Sequence, residues 1–282
     1  MPLRRFVSDT VNRSRRFLPL RIIVGIVVLR AFLAARRPAV WEDARAQMRF
    51  VVGDDQPDEV IDGLAAGYLK RELWLGEARW RPSLLTGQSV DGVHHLHELV
   101  AQGTGFVINT MHHGNWEGVF GALAEFGLTS HVVATSEMFT SSMPGWMRQQ
   151  ARLVTDSGCT LIDVADGMPS IRAVLAQGLP VTIATDVPGS TRVSFLGREL
   201  SMASGAAVAA FTAQVPVVVI TASPDPARGP WKTRLEVSDP IYPAGFESPR
   251  DLLQAMVRVH EKSWAAWPDG ADDPLRILNW KN

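Results

Sequence analysis

"GFVINTMHHGNWEGVF", residues 105–120, passes from an apolar stretch through two adjacent histidines, a glycine and an asparagine into a second apolar stretch. GFVIN reads as a buried strand, and Trp116 to Phe126 carries apolar residues at helical spacing, so the histidines fall in a strand-to-helix turn. Asn115 is a natural N-cap there. Glu117 follows in the first helical turn, where the peptide dipoles favour a carboxylate.

The same alternation continues downstream. HVVAT, CTLIDV, PVTIAT, VPVVVI and TRLEVSDPI are strand-like, and helical runs at 143–156, 168–177 and 204–213 separate them. Alternation of this kind predicts an α/β fold with a mixed, largely parallel sheet flanked by helices. Upstream, residues 1–80 read as helical; Pro57-Asp58-Glu59 suits a helix start, and SPRDLLQAMVRVHEKSWAAWP from Ser248 suits a closing helix with a serine cap and proline at its first position. The expected organisation is an N-terminal helical segment over 1–80 and one α/β domain over 81–282. No repeat or low-complexity tract divides the chain further.

The chain has 282 residues and a formal net charge of −1, which hides an uneven distribution. Residues 1–50 hold eleven arginines against Asp9, Glu42 and Asp43. Within them, RRFLPLRIIVGIVVLRAFLAARR carries an eight-residue apolar core, Ile22 to Leu29, between Arg21 and Arg30. That core is too short to span a bilayer, and it lacks a small-residue cleavage site. It reads either as an interfacial helix whose arginines reach lipid head groups or as a buried helix with solvated arginines. The apolar content favours anionic lipid over nucleic acid as a partner. The lone Cys159 excludes an internal disulfide framework and reads as a small buried residue.

A histidine at a strand's carboxyl end, oriented by a carboxylate, is the arrangement of a general base. If a helix began at Met111, His113 and Glu117 would share a face at i, i+4 spacing, which favours His113; in a turn that rule lapses, and the residues alone leave the choice open. No metal site is expected: there is no H-E-x-x-H, and the other histidine-rich run, His94, His95 and His97, reads as a helix face. Nucleotide-binding glycine loops and a G-x-S-x-G elbow are missing as well.

HHGNWEG resembles the H-x4-(D/E) motif of the lysophospholipid acyltransferase superfamily, and more closely the H-x-G-N-W-E form of the lipid A lauroyl/myristoyl acyltransferases; phosphatidylinositol mannoside acyltransferases carry a similar run. The similarity continues in order over about residues 90–240, through VVATSEMF, WMRQQARLVTDSGCTLIDV and LAQGLPVTIATDVPGSTRVSFLG. This resemblance selects His112 as the base and Glu117 as its partner, and implies substrate contacts for Glu137, Arg152, Asp186 and Arg192.

The activity it implies is transfer of an acyl group from acyl-CoA or an acyl carrier protein, as co-substrate, to a hydroxyl or amine of a glycolipid-like, amphipathic acceptor. No bound cofactor is expected. The expected location is cytoplasmic, peripheral to the inner face of the cell membrane. Two rivals remain: a soluble transferase of specialised metabolism that joins a carrier-bound acyl or aminoacyl group to a small alcohol or amine, and a non-catalytic lipid-binding protein of the same fold.

Overall fold

The structure, a computed structural model, describes residues 17–229 and 231–277. The helical front consists of α1 (Leu20–Ala35), α2 (Pro38–Val52) and α3 (Asp58–Ala78). Arg4, Arg5, Arg13, Arg15 and Arg16 of the basic N-terminus lie outside the described residues.

The α/β part follows as β1 (Ser89–Asp91), α4 (Val93–Ala101), β2 (Val107–Thr110), α5 (Val119–Ala124), β3 (His131–Ala134), α6 (Gly145–Asp156), β4 (Thr160–Asp163), α7 (Gly167–Leu175) and β5 (Val181–Ala184). Then come β6 (Thr191–Phe195), β7 (Arg198–Met202), α8 (Gly205–Ala213), β8 (Val217–Pro224), β9 (Thr233–Val237) and α9 (Pro249–Ala266). Seven strands form one sheet in the order β1, β9, β8, β2, β5, β3, β4. β2, β3, β4, β5 and β8 run parallel, whereas β9, with β1 parallel to it, runs against β8. This is the expected mixed, largely parallel α/β fold.

The central strands are apolar runs because helices cover both faces: Val107, Val181, Val217, Val218 and Val219 are fully buried. Below them, Ala206, Ala207, Ala209 and Ala210 let α8 sit close to the sheet. The front helices belong to the same core, to which α2 and α3 contribute Met48, Phe50, Ala65 and Leu69. Closing helix α9 starts as anticipated, with Ser248 Oγ accepting the Asp251 N–H and Pro249 in its first turn.

Two expectations change. The stretch after Asp186 is a β6–β7 hairpin, closed by Leu196 and Gly197, both at positive φ as a tight two-residue turn requires. Its alternation was present in the sequence: Val193, Phe195, Leu200 and Met202 are buried, and Arg192, Ser194 and Glu199 are exposed. Secondly, α1 combines features of the two helices considered. It buries the seam Ile23, Val27 and Ala31 against the protein, yet Ile22, Val28, Leu29, Phe32 and Leu33 face outward. Arg30 folds back to Glu77 at 2.5 Å. Among the described residues no helix is long and apolar enough to cross a membrane.

Candidate active site

Strands β2 and β5 pair in parallel with Ile108 opposite Thr182 and Thr110 opposite Ala184. Two residues beyond the end of each strand, that register brings His112 opposite Asp186. Asp186 holds the histidine twice: Oδ2 accepts its backbone N–H at 2.8 Å, and Oδ1 lies 2.7 Å from ring Nδ1. With Asp186 ionised, that contact fixes Nδ1 as the protonated nitrogen and leaves the Nε2 lone pair free. The His112 side chain is 17% exposed, Asp186 only 1%. Burial opposes ionisation of Asp186, but the adjoining His112 and Arg276 outweigh it and hold the carboxyl at about 2.

The turn that carries His112 needs its glycine. Gly114 has φ of 64°, and a Cβ there would meet Trp267 at 2.8 Å and Ala222 at 2.9 Å. Asn115 does not cap with its side chain, contrary to expectation; it donates to the Trp231 carbonyl at 2.7 Å. Trp116 stands edge-on to the His112 ring, 4.3 Å between centroids, and donates to Asp272 at 2.9 Å.

Glu117 is not hydrogen-bonded to His112, which corrects the pairing expected from the H-x4-E spacing. Because the segment is a turn and not a helix, the carboxylate swings to Arg79 at the end of α3, with Nε at 2.7 Å and Nη2 at 2.6 Å. It is fully buried, its second oxygen lacks a hydrogen bond, and burial raises its pKa against the opposing pull of Arg79. Arg79 itself lies over the Trp146 ring at 5.2 Å.

His113 is a core residue. Its Nε2 meets the Trp267 carbonyl at 2.9 Å, its Nδ1 lies 3.4 Å from Ser263 Oγ, and the ring stacks on Trp264. Burial lowers its pKa to about 3. Deeper still, buried His260 bonds Asn109 at 2.9 Å, and Asn109 donates to the Ile183 carbonyl and to Thr185 Oγ1.

The segment after α9 fastens this turn from outside: the Gly270 carbonyl accepts the Gly114 N–H, Asp272 N donates to the His112 carbonyl, and Arg276 reaches Asp186 at 3.3 Å. Sequence reasoning missed Arg79, Asp272, Arg276 and His260, which bear no local motif. Asn109 had one signal, a polar residue ending an otherwise apolar strand.

Of the anticipated site residues, His112, Glu117 and Asp186 therefore come together. Glu137 lies just past β3 at the same sheet edge, and Arg152 on α6 and Arg192 on β6 are also exposed. Among the described residues none of these three side chains contacts the His112 cluster. A groove of about 600 Å³ between α7 and α8, lined in part by Arg172, Leu175 and Val215, includes none of them. No group of three or more His, Cys, Asp or Glu side chains among the described residues is arranged to hold a metal.

A histidine with one nitrogen anchored on a buried carboxylate and no partner on the other among the described residues, at the carboxyl edge of a parallel sheet, can accept a proton from an attacking nucleophile. The model of the bacterial lipid A biosynthesis acyltransferase family matches residues 11–268, and the chain belongs to that family. It is an acyltransferase of lipid biosynthesis, which implies an acyl donor and a lipid acceptor. In fold it is similar to the crystal structure of the 1-acyl-sn-glycerophosphate (LPA) acyltransferase PlsC from Thermotoga maritima, with 14% identity and a TM-score of 0.44 over 92% of this chain and 95% of that one. No curated protein sequence matches the chain.

Proposed function

We propose that the protein moves an acyl group from a thioester of coenzyme A or an acyl carrier protein to a hydroxyl or amine of a glycolipid-like acceptor, with His112 as general base and Asp186 as the group that orients and charges it. The observation that carries this reading is the His112 ring itself, anchored through Nδ1 on a carboxylate held at about 2, with no partner for Nε2 among the described residues and the side chain 17% exposed.

The acceptor O–H or N–H gives its proton to His112 Nε2 as its oxygen or nitrogen attacks the thioester carbonyl carbon. Asp186 offsets the imidazolium that forms. Collapse of the tetrahedral intermediate breaks the C–S bond, and the imidazolium returns the proton to the departing sulfur, giving a free thiol. Glu117 acts at one remove, fixing Arg79 beside the turn. Glu137, Arg152 and Arg192, all solvent-facing, are assigned to contacts with bound substrate outside this pair.

The reaction is placed at the inner face of the cell membrane. The outward face of α1 supports this: six large apolar side chains and Arg21, Arg36 and Arg37 stand exposed on one short helix and its end.

The test is thiol release from acyl-CoA or acyl carrier protein in the presence of a lipid extract. His112→Ala should lose about 100-fold or more, the scale of general-base catalysis. Full turnover by His112→Ala would refute the assignment.

A further inference from the structure

Asp186 does not serve His112 alone. Its Oδ2 accepts the His112 N–H at 2.8 Å and also meets Arg276 Nη2 at 3.3 Å. That second contact is long beside the 2.6 and 2.7 Å bonds of Arg79 to Glu117. Arg276 sits in a short turn, Pro274–Ile277, tied to α2 by the Leu275 N–H on Gln47 Oε1 at 2.8 Å. Its backbone is thus fixed where the side chain can reach the pair.

The guanidinium is under-used. Of its five N–H donors one has a partner among the described residues; Nε is buried without one, and the side chain is 26% exposed. The other cations near His112 differ. Arg79 is committed by two bonds to a buried carboxylate, and Arg152 and Arg192 are exposed without contact to the cluster. A planar fork with free donors, open on one side to solvent and loosely held by a carboxylate on the other, matches the geometry of a phosphate.

We propose that Arg276 is an anion-binding residue of this site, taking phosphate oxygens of a substrate and seating them beside the His112–Asp186 pair. The proposal rests on the reading of His112 as the base. Phosphate is the shared chemistry of two sources, the pyrophosphate arm of coenzyme A and the head group of a phospholipid-like acceptor.

Calorimetric titration of the full chain tests this, because each probe alone cannot turn over. Coenzyme A and glycerol 3-phosphate are the probes, with pantetheine and glycerol as phosphate-free controls. Arg276→Gln should weaken one phosphate probe by about tenfold or more, the worth of a charge-assisted hydrogen bond, and leave its control unchanged. The probe that responds names the source, and Arg276→Lys should recover part of the loss. Unchanged binding of both phosphate probes to folded Arg276→Gln overturns the proposal, as does equal weakening of the phosphate-free controls.

The binding outcomes do not depend on His112 being the base, which His112→Ala decides separately.

Discussion

Just past the end of β2, a tight turn in which the His113 N–H bonds the Met111 carbonyl sends two adjacent histidines to different sides. His112 faces Asp186 and solvent, whereas His113 faces α9 with both nitrogens in contact and its pKa held at about 3. The family resemblance suggested Glu117 as the partner of His112. The true contact is to Asp186, 74 residues away, because strand register decides it, and register is invisible until both strands are paired. Asp186→Asn should therefore lose about 100-fold or more in kcat with the protein still folded, since a neutral amide neither fixes the tautomer nor offsets the imidazolium. Glu117→Gln should behave differently, costing about 1–3 kcal/mol of stability by leaving Arg79 without its buried partner. Turnover and urea unfolding of the two variants separate the roles, and Glu117→Gln outdoing Asp186→Asn in lost turnover would reverse them.

Elements with a strong repeat were legible. Apolar runs bounded by turn residues gave β2, β5 and β8, which are buried on both sides, and the half-buried β3, β4 and β9 showed as shorter or alternating β-type runs. The β6–β7 hairpin was not, since its turn begins with Leu196, a residue with little preference for positive φ. Helix α1 was ambiguous for a related reason: apolar residues all round do not say which side meets protein. The structure assigns one seam to the core and leaves Leu29 and Phe32 outward, 57% and 52% exposed. Leu29→Ser with Phe32→Ser should weaken sedimentation with anionic phosphatidylglycerol vesicles by roughly 10- to 30-fold, from about 1 kcal/mol of lost burial at each position, while Tm stays put. Unchanged sedimentation would remove α1 from the membrane contact.

Across the whole molecule, buried polar groups tie the sheet to the closing helix, and two of them, His113 and His260, make stability depend on pH. His260, ordinarily near 6.5, is held at about 4 by burial. Between those values the unfolded chain binds a proton that the folded one refuses, so its contribution is full above 6.5 and lost as pH falls through about 4, by about 1.4 kcal/mol per pH unit. His260→Gln removes that dependence; its stability deficit at pH 7.5 should shrink as pH drops toward 4.5. Urea midpoints at several pH values measure the gap, and a constant gap would mean that His260 does not carry the effect.

The fastening of the His112 turn by Gly270, Asp272 and Arg276 also sets an order of events during synthesis. Sheet and front helices can gather on the ribosome as their segments emerge, but the residues that pin the histidine leave the exit tunnel about 160 residues after it. A nascent chain stalled before that point would have His112 on Asp186 and lack the contacts that Gly270, Asp272 and Arg276 make to the turn.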